Sequence, residues 1–443
     1  MKTAIVVCGR MGDVHIRYIL KTKGVQLVAL CDQKELRARE LARQHGVPHY
    51  SDLARMLDET RPDAVHILTP PQTHTTLTIQ ALQSGCHVLV EKPLCLTPEE
   101  AQAICVAVES AGRLVSVDHS LLWSPSVQKA QRTIASGQLG RVLHIQYVMG
   151  DDYLQAVKGG YARWALGLRG GVLCDLIPHP LYLIRAFLPS AQVFSAYACG
   201  TSIYDLRELW VDLMANGAGA SLWMSLTQRP LEHNLRLYCE RGTVYLDLRN
   251  FCMVMLPERG LPGPAARVVN TLSESWQRGM GTLGSVLGLL TGRFDPRAGT
   301  AGAIHAFYQA IAEGKPSPVS QEEAVVVVAL SAAVWNLLEK TPGAIRLFLD
   351  ERGQSVVRKA AADFGTVKHI TPPRVLVTGG TGFIGSHLVR RLVAEGRQVR
   401  VLCRELSGLD ALPTDGIEIA FGDVSDLDSV HRATGVTGQH NSA

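Results

Sequence analysis

The chain has 443 residues, of which 47% are hydrophobic, 19% charged and 6% aromatic. This much apolar material can fill two or three separate cores, so the composition excludes a disordered protein. The 44 Lys and Arg residues are balanced by 40 Asp and Glu, a formal charge of +4 with both signs interspersed. That balance favours small molecules over nucleic acid or a membrane surface as partners.

Three further features bear on the compartment. A strand-like run begins almost directly after Met1 and leaves no room for a signal peptide, so we expect a cytoplasmic protein. The 10 cysteines include no Cys-x-x-Cys pair, which indicates reduced thiols and neither a disulfide framework nor a metal site. The uncharged, glycine-rich stretch 279–292 is shorter than the roughly 20 apolar residues that a spanning helix needs. We expect it to pack against a partner surface at most.

Short apolar runs alternate with helix-like stretches over residues 1–120. The runs are Ala4–Cys8, Gln26–Cys31, Ala64–Leu68, Cys86–Val90 and Leu114–Val117. The clearest helix start is Thr97-Pro98-Glu99-Glu100, a capping box with proline at the first helical position. This alternation predicts an α/β dinucleotide-binding domain of the Rossmann type with a parallel, doubly wound sheet.

Longer strand candidates separated by tight turns follow over residues 121–350. They are Val142–Met149, Val193–Cys199, Leu209–Ala215, Ala218–Ser225, Asn234–Glu240 and Thr243–Leu248. Asn216-Gly217 is a strong hairpin signal, and a Val-rich helix capped by Ser320 runs to Leu338. The pattern predicts an α+β domain with a mixed, largely antiparallel sheet.

The remaining residues restart the first pattern after a linker. Residues 351–373 lack a period and end in Thr371-Pro372-Pro373, which is typical of a linker. Residues 374–443 then give three strand candidates and one helix, the beginning of a second Rossmann unit. We expect this unit to be only a fragment of its fold.

A dinucleotide-binding turn follows the first strand. Gly9, Arg10, Met11 and Gly12 lie between that strand and a helix, and Asp32 ends the second strand 20 positions after Gly12. Glycines allow the backbone to approach a pyrophosphate, and a carboxylate can accept hydrogen bonds from both ribose hydroxyls while it repels a 2′-phosphate. The expected cofactor is therefore NAD, with NADP as the alternative. Val7 replaces the first glycine of the usual motif.

Two further turns follow strands of the same predicted sheet. Thr69-Pro70-Pro71 with His74 follows one strand, and Glu91-Lys92-Pro93 follows the next. Both turns should lie at the carboxyl edge of the sheet, where ligands of open α/β folds bind. We therefore predict Thr69, Pro70, His74, Glu91 and Lys92 in the cofactor site.

These residues, together with His15 and the segment Gly170-Gly171 to His179, resemble the glucose-fructose oxidoreductase and inositol dehydrogenase (Gfo/Idh/MocA) family over about residues 1–345. The resemblance implies that Lys92, Asp175 and His179 line a substrate pocket beside the nicotinamide. Residues four apart on a helix share one face, so Asp175 and His179 can also hold one hydroxyl together. Many members carry an acidic residue three positions after this histidine, where Tyr182 stands here.

Hydride transfer from a secondary alcohol requires a base near the hydroxyl oxygen. Lys92 and His179 are both candidates, and we assign the proton to the pair jointly, with Asp175 orienting the histidine or binding a second hydroxyl. The sequence therefore predicts an NAD-dependent oxidoreductase that acts on a sugar, cyclitol or sugar derivative. By the same resemblance we expect a homo-oligomer.

The C-terminal unit carries a glycine-rich turn of its own. Gly379, Gly382 and Gly385 stand between a strand and a helix and, with Gly422-Asp423-Val424, resemble the start of an extended short-chain dehydrogenase/reductase. A second cofactor site would use these glycines with Arg404 and Asp423, and Arg404 favours a 2′-phosphate. The alternatives to an active oxidoreductase are a dinucleotide-binding sensor without turnover and a truncated remnant of a fusion with a nucleotide-sugar epimerase or dehydratase.

Overall fold

Three separate sheets organise the chain, as seen in a computed structural model. It describes residues 1–6, 10–152, 163–291, 295–341, 343–347, 375–403, 412–413, 416–421, 424, 430 and 433–434. The chain divides into two units, Met1–Phe348 and Leu349–Ala443. The predicted linker 351–373 lies outside the described residues, as do Gly9, Arg404 and Asp423.

The first sheet is parallel and six-stranded, with the order β3-β2-β1-β4-β5-β6. Its strands are β1 (Lys2–Val6), β2 (Gln26–Cys31), β3 (His49–Tyr50), β4 (Ala64–Ile67), β5 (His87–Val90) and β6 (Val115–Val117). The helices between them are α1 (Arg10–Ile19), α2 (Glu35–His45), α3 (Leu53–Thr60), α4 (His74–Gln83) and α5 (Pro98–Ala111). This is the predicted Rossmann arrangement, and β4 is buried at every residue because helices cover both faces of the sheet.

Local signals begin the helices where the sequence predicts. The Thr97 hydroxyl accepts a hydrogen bond from the Glu100 backbone N–H at 3.2 Å. The Glu100 carboxylate in turn accepts from the Thr97 backbone N–H at 3.2 Å, which completes the capping box. These two bonds satisfy backbone groups that the first turn of α5 would leave unpaired.

The second sheet has eight strands in the order β13-β12-β11-β7-β10-β9-β8-β14. They are β7 (Val142–Gly150), β8 (Gln192–Ser202), β9 (Asp205–Ala215), β10 (Ala218–Ser225), β11 (His233–Cys239), β12 (Gly242–Asp247), β13 (Cys252–Pro257) and β14 (Ile345–Leu347). The β7/β10 and β8/β14 pairs are parallel and the other pairs are antiparallel. The sheet is therefore mixed and largely antiparallel, as expected.

Among the described residues, six α-helices accompany the second sheet in the sequence. They are α6 (Pro125–Ala135), α7 (Val172–Leu176), α8 (Pro178–Arg185), α9 (Gly263–Leu290), α10 (Ala298–Glu313) and α11 (Gln321–Lys340). The hairpin between β9 and β10 turns at Gly217, whose φ of 74° favours glycine. Ser320 caps α11, since its hydroxyl accepts from the Glu323 N–H at 3.1 Å.

Helices α10 and α11 return the chain to the first sheet. Ile304, Phe307 and Tyr308 of α10 belong to the core on one side of that sheet. Ala324 and Val328 of α11 belong to the core on the other side. The segment predicted to lie in the second domain therefore also completes the packing of the first.

Helix α11 is also long and apolar enough to cross a membrane by length and composition. Seven of its residues are buried against other elements of the protein, among them Val334 and Trp335. This burial accounts for the apolar composition of α11 as that of a core helix.

The second unit contains the third sheet, which is parallel with the order β15-β16-β17. Its described elements are β15 (Val375–Thr378), α12 (Phe383–Ala394), β16 (Val399–Cys403) and β17 (Ile417–Phe421). Gly379 has a φ of 68°, and a side chain on Gly385 would overlap the Gly379 carbonyl. The glycine turn therefore has the strand-to-helix setting that its sequence predicts.

Candidate active site

Most of the predicted cofactor residues lie at the carboxyl edge of the first sheet. Asp32 follows β2, Thr69 and Pro70 follow β4, and Glu91 and Lys92 follow β5. Because all six strands are parallel, these strand ends share one edge. The strand order changes direction between β1 and β4, which is where dinucleotides bind in folds of this type.

The dinucleotide turn leads directly into α1. Met11 and Gly12 stand in its first turn, whose backbone N–H groups can receive a phosphate. Asp32 is 6% exposed, and its Oδ1 accepts the Lys34 backbone N–H at 2.8 Å. A carboxylate beside the first turn of a helix fits the ribose and pyrophosphate of NAD. Gly9 and the Arg10 side chain lie outside the described part of the structure.

His74 joins the two turns of this edge. Its Nδ1 lies 2.8 Å from the Pro93 carbonyl oxygen, and its Nε2 lies 2.7 Å from the Thr69 carbonyl oxygen. Burial lowers the pKa of His74 despite these two carbonyl contacts. Both ring nitrogens are engaged with backbone, so His74 holds the Thr69 and Lys92 turns together.

Lys92 connects the first sheet to the second domain. Its Nζ donates to Asp175 Oδ1 at 2.6 Å and to the Asp175 carbonyl oxygen at 2.7 Å. The side chains are only 13% and 11% exposed, so solvent screens this ion pair little. Helix α7 supplies Asp175, and His179 follows four positions later in α8. The structure thus unites Lys92 and Asp175, which are 83 residues apart.

Tyr182 takes the place of the acidic residue expected behind His179. Its hydroxyl oxygen lies 2.8 Å from His179 Nδ1 and accepts the Leu121 backbone N–H at 3.2 Å. Burial raises the pKa of Tyr182 well above its ordinary value, although hydrogen bonds from Leu121 and Ser120 oppose the rise. The hydroxyl is therefore protonated, and because its oxygen already accepts from Leu121, its proton is available to His179 Nδ1.

This hydrogen bond fixes the tautomer of His179. Burial, with Lys92, His233 and His119 nearby, lowers the pKa of His179 well below its ordinary value, so the ring is neutral at pH 7. A neutral ring that accepts at Nδ1 carries its proton on Nε2. His179 can therefore present a hydrogen-bond donor to a ligand.

A buried charged cluster beneath Lys92 was not predicted from the sequence. His15 Nε2 of α1 lies 3.7 Å from Glu91 Oε1 and 3.6 Å from Asp118 Oδ2. Burial alone would lower the pKa of His15, but the two carboxylates raise it to about 9. Burial raises the pKa of Asp118 to about 6, and His15 and Lys92 hold that of Glu91 below its usual value in spite of burial.

A chain of hydrogen bonds leads from this cluster to α10. His15 Nδ1 lies 2.8 Å from His66 Nδ1, and burial beside His15 lowers the pKa of His66 well below its ordinary value. The charged His15 is therefore the donor and the neutral His66 the acceptor. His66 Nε2 then lies 2.8 Å from the Tyr308 hydroxyl, which donates to Thr3 Oγ1 at 3.0 Å.

The ligand atoms of His15, Glu91 and Asp118 lie within 4.8 Å of one another, as in a metal site. A metal ligand must be a neutral imidazole, whereas the two carboxylates favour a charged His15. A protonated His15 therefore offsets one of the two negative charges in the place that a metal ion would take. That the protein needs no metal remains a prediction. Of the three residues, His15 and Glu91 belong to motifs read from the sequence and Asp118 does not.

His119 and His233 also lie close to His179 and were not among the predicted site residues. The His119 ring stacks on Tyr182 at 4.3 Å between centroids, and burial lowers its pKa to about 3. His233 contacts the Tyr147 hydroxyl at 2.5 Å, and burial lowers its pKa to about 4. His119 is the second residue after β6, so its position near the strand end was the available signal.

Three family models match the chain. The oxidoreductase family with an NAD-binding Rossmann fold matches residues 1–119, and the GFO/IDH/MocA C-terminal domain matches residues 127–245. The NAD dependent epimerase/dehydratase family matches residues 375–438. These matches confirm the layout that the motifs predicted.

Individual relatives agree with the models. The chain is 31% identical over 252 residues to 4-carboxy-2-hydroxymuconate-6-semialdehyde dehydrogenase of Sphingobium sp., covering 55% of this chain and 78% of that protein. It is 29% identical over 274 residues to scyllo-inositol 2-dehydrogenase (NAD(+)) of Bacillus subtilis, covering 59% and 78%. The chain belongs to the Gfo/Idh/MocA family of NAD-binding oxidoreductases.

A solved structure shares the fold of the first unit's two domains. The oxidoreductase from Agrobacterium radiobacter, in complex with NAD+, L-tartaric acid and magnesium, aligns with a TM-score of 0.63 at 17% identity. The alignment covers 77% of this chain and 96% of that one. It confirms the expected combination of a Rossmann sheet and a mixed sheet.

Proposed function

We propose that the protein transfers a hydride between NAD and a hydroxyl or carbonyl carbon of a sugar, cyclitol or sugar derivative. The observation that carries this proposal is the Lys92–Asp175 ion pair of 2.6 Å at the carboxyl edge of the first sheet. His179 stands four residues after Asp175, so the second domain brings polar groups to the edge where NAD would bind.

NAD, when bound, supplies or accepts the hydride. Lys92 moves the proton: as an ammonium it gives one to the carbonyl oxygen during reduction, and as an amine it takes one from the hydroxyl during oxidation. Asp175 holds Nζ in place by accepting its hydrogen bond. Lys92 thus acts at the substrate oxygen.

His179 has a different role from Lys92 in this scheme. Tyr182 donates to its Nδ1, so Nε2–H donates to the same substrate oxygen or to a neighbouring hydroxyl. A donor at this position stabilises negative charge as it develops on the oxygen. The proton that the sequence assigned jointly to Lys92 and His179 therefore belongs to Lys92.

The substrate class rests on the relatives and on the donor set. The Bacillus subtilis relative is named for scyllo-inositol, and its alignment covers 78% of that protein. A lysine, a carboxylate and a histidine can together bind adjacent hydroxyls of a polyol. Asp32 supports NAD over NADP. The mostly buried positions of the described cysteines support a cytoplasmic setting.

The test is a screen of sugars, cyclitols and nucleotide sugars for NAD reduction, with the absorbance of NADH as the readout. On an identified substrate, Lys92→Ala should lower kcat by about 100-fold or more and leave NADH affinity nearly unchanged. Lys315→Ala is the matched control, because Lys315 is an exposed lysine paired with Glu313. Near-normal turnover by Lys92→Ala would refute the assignment.

A binding protein without turnover is the second candidate, since Tyr182 replaces an acidic residue and Val7 a glycine. It would bind NADH and oxidise no compound of the screen. A second cofactor site in the C-terminal unit, at Gly379, Gly382 and Gly385 with Arg404 and Asp423, is a further proposal. It would appear as a second equivalent of bound nucleotide in calorimetry.

A further inference from the structure

Helix α9 packs with its polar side against the protein. The Gln277 side chain accepts the Met255 N–H and donates to the Met255 carbonyl, both at 3.0 Å, and so occupies the free edge of β13. Ser285 donates to the Asn250 carbonyl at 2.6 Å. The Arg278 guanidinium lies 4.0 Å above the Tyr245 ring.

The opposite side of α9 is apolar and exposed. Leu272 is 65% exposed, Trp276 70%, Leu283 50% and Leu290 77%. At 100° per residue, the exposed apolar residues other than Leu289 fall within an arc of about 120° that contains no charged residue. Scattered exposed apolar residues are common, but a continuous stripe about 33 Å long indicates an interaction surface.

The stripe has a strict heptad period. One set recurs every seven residues as Val269, Trp276, Leu283 and Leu290, and the second set, three positions later, is Leu272, Gly279 and Val286. Steps of three and four residues place this seam along one side of a helix that pairs with another helix. Within the described residues, no other helix packs on the seam.

We propose that the partner of this seam is α9 of a second copy of the chain. A lipid surface does not require a 3.5-residue period, and helices that lie on lipid carry many Lys and Arg along their polar side. Helix α9 has two, Arg267 and Arg278, and Arg278 stacks on Tyr245. A second copy supplies the same seam with the same period, and a two-fold axis then satisfies both chains.

The side-chain volumes select the antiparallel orientation. In an antiparallel pair, residues of the first set lie against residues of the second set. The layers are then Val269 with Val286, Trp276 with Gly279, and Leu283 with Leu272, each formed twice. The largest side chain meets the smallest residue in this arrangement. A parallel pair would place Trp276 on Trp276 and leave a gap between the Gly279 residues.

The size of the contact predicts how tightly the copies associate. A seam about 32 Å long and 10–12 Å wide covers roughly 320–380 Å² on each copy, or on the order of 700 Å² in total. This area lies in the range of weak, transient interfaces. We therefore expect a dimer of twice the 48.1 kDa chain mass that dissociates on dilution.

The first experiment measures mass against concentration by sedimentation velocity of the full chain. Leu272→Glu places two charges in the seam and should raise the dimer dissociation constant by at least about 100-fold. Thr271→Glu is the matched control, because Thr271 directly precedes Leu272, is exposed and lies outside the apolar arc. It should leave the dissociation constant unchanged, and circular dichroism should show that both variants fold.

The second experiment tests the register by exchanging the large and small residues. Trp276→Gly and Gly279→Trp should each weaken the dimer. The double variant should restore it, because each of these antiparallel layers again contains one tryptophan facing one glycine. Failure of the double variant to recover would refute the antiparallel seam. A chain that stays monomeric at all concentrations, or a Leu272→Glu variant that dimerises normally, would refute the proposal.

A third measurement separates the lipid alternative. Co-sedimentation of the wild-type chain with vesicles of phosphatidylcholine and phosphatidylglycerol should leave the protein in the supernatant. Binding to these vesicles that Leu272→Glu abolishes would assign the stripe to a membrane surface and overturn the second-copy assignment.

Discussion

A single hydroxyl, that of Tyr182, decides what His179 can offer to a substrate. The acidic residue that many family members carry here would accept a hydrogen bond from Nδ1–H and raise the pKa of the ring. The phenol of Tyr182 instead donates a hydrogen bond to Nδ1 and leaves the ring neutral. One residue in α8 thus changes the histidine from a candidate base to a hydrogen-bond donor.

Replacing this residue should change the pH dependence of catalysis. Tyr182→Asp should add an ionisation between about pH 5 and 8 to the profile of kcat/KM, because the carboxylate favours the imidazolium form of His179. The wild-type profile should lack this step, since the pKa of His179 lies well below its ordinary value. Tyr182→Phe is the control, because it removes the hydroxyl without adding charge. Identical profiles for wild type and Tyr182→Asp would contradict the tautomer assignment.

Asp32 should set the preference between NAD and NADP. A carboxylate facing a 2′-phosphate in a partly desolvated site costs on the order of 1–3 kcal/mol, so NADH should bind more tightly than NADPH. Asp32→Ser should reduce this preference, and Asp13→Ser, which changes an exposed carboxylate of α1, should not. Fluorescence titration with both nucleotides measures the ratio. Equal affinities in the wild type would disprove the role of Asp32.

At the scale of elements, His15 ties α1 to three strands and to α10. It contacts Glu91 after β5 and Asp118 after β6, and it reaches Tyr308 through His66 of β4. Glu91 of this cluster directly precedes Lys92, and its carboxylate accepts the Lys92 backbone N–H at 3.1 Å. The cluster therefore connects the turn that carries Lys92 to α1 and α10 by charge and hydrogen bonding.

The cluster should make stability depend on pH. The pKa of His15, about 9 in the folded protein, exceeds the unfolded value near 6.5. The stabilisation by His15 is therefore complete below pH 6.5 and is lost as pH rises through 9. The free energy of unfolding should fall by about 1–3 kcal/mol between these values. His15→Gln should remove this dependence, and His305→Gln, an exposed histidine of α10, should keep it. Urea unfolding at both pH values checks the difference.

Sequence patterns located most elements because their signals are local. Thr97 and Ser320 mark the starts of α5 and α11 with side chains that bond within one turn. Helix α9 was predicted only as an uncharged segment at its end, since five glycines and an outward apolar face conceal the usual core pattern. Strand β13 was missed because it depends on pairing with β12 and on the Gln277 amide.

The residues of the candidate site likewise divide into those that stand in local motifs and those that only the fold brings together. Lys92, Asp175 and His179 stand in motifs, so the sequence identifies them, although their roles remain predictions. The contacts of His15 with His66 and of His66 with Tyr308 join residues 51 and 242 positions apart, which only the fold brings together. No local pattern contains such pairs.

At the scale of the whole molecule, the second unit should be dispensable for NAD binding. Its described part has three strands and one helix around a small core, whereas a parallel sheet needs cover on both faces. A chain ended after residue 350 should keep the NADH affinity and any activity of the full chain. Limited proteolysis should cut first between residues 353 and 373, the predicted linker. Loss of NADH binding on truncation would show that the second unit is required.

The return of α10 and α11 to the first sheet has a consequence for biosynthesis. The strands of that sheet are complete by residue 117, but Phe307 and Val328 still have to enter its two cores. At about 5–20 residues per second, a ribosome needs roughly 10–45 s to make the intervening 210 residues. During that time the apolar faces of the nucleotide-binding sheet remain partly uncovered. The first half of the gene product should therefore depend on chaperones until its own distant helices emerge.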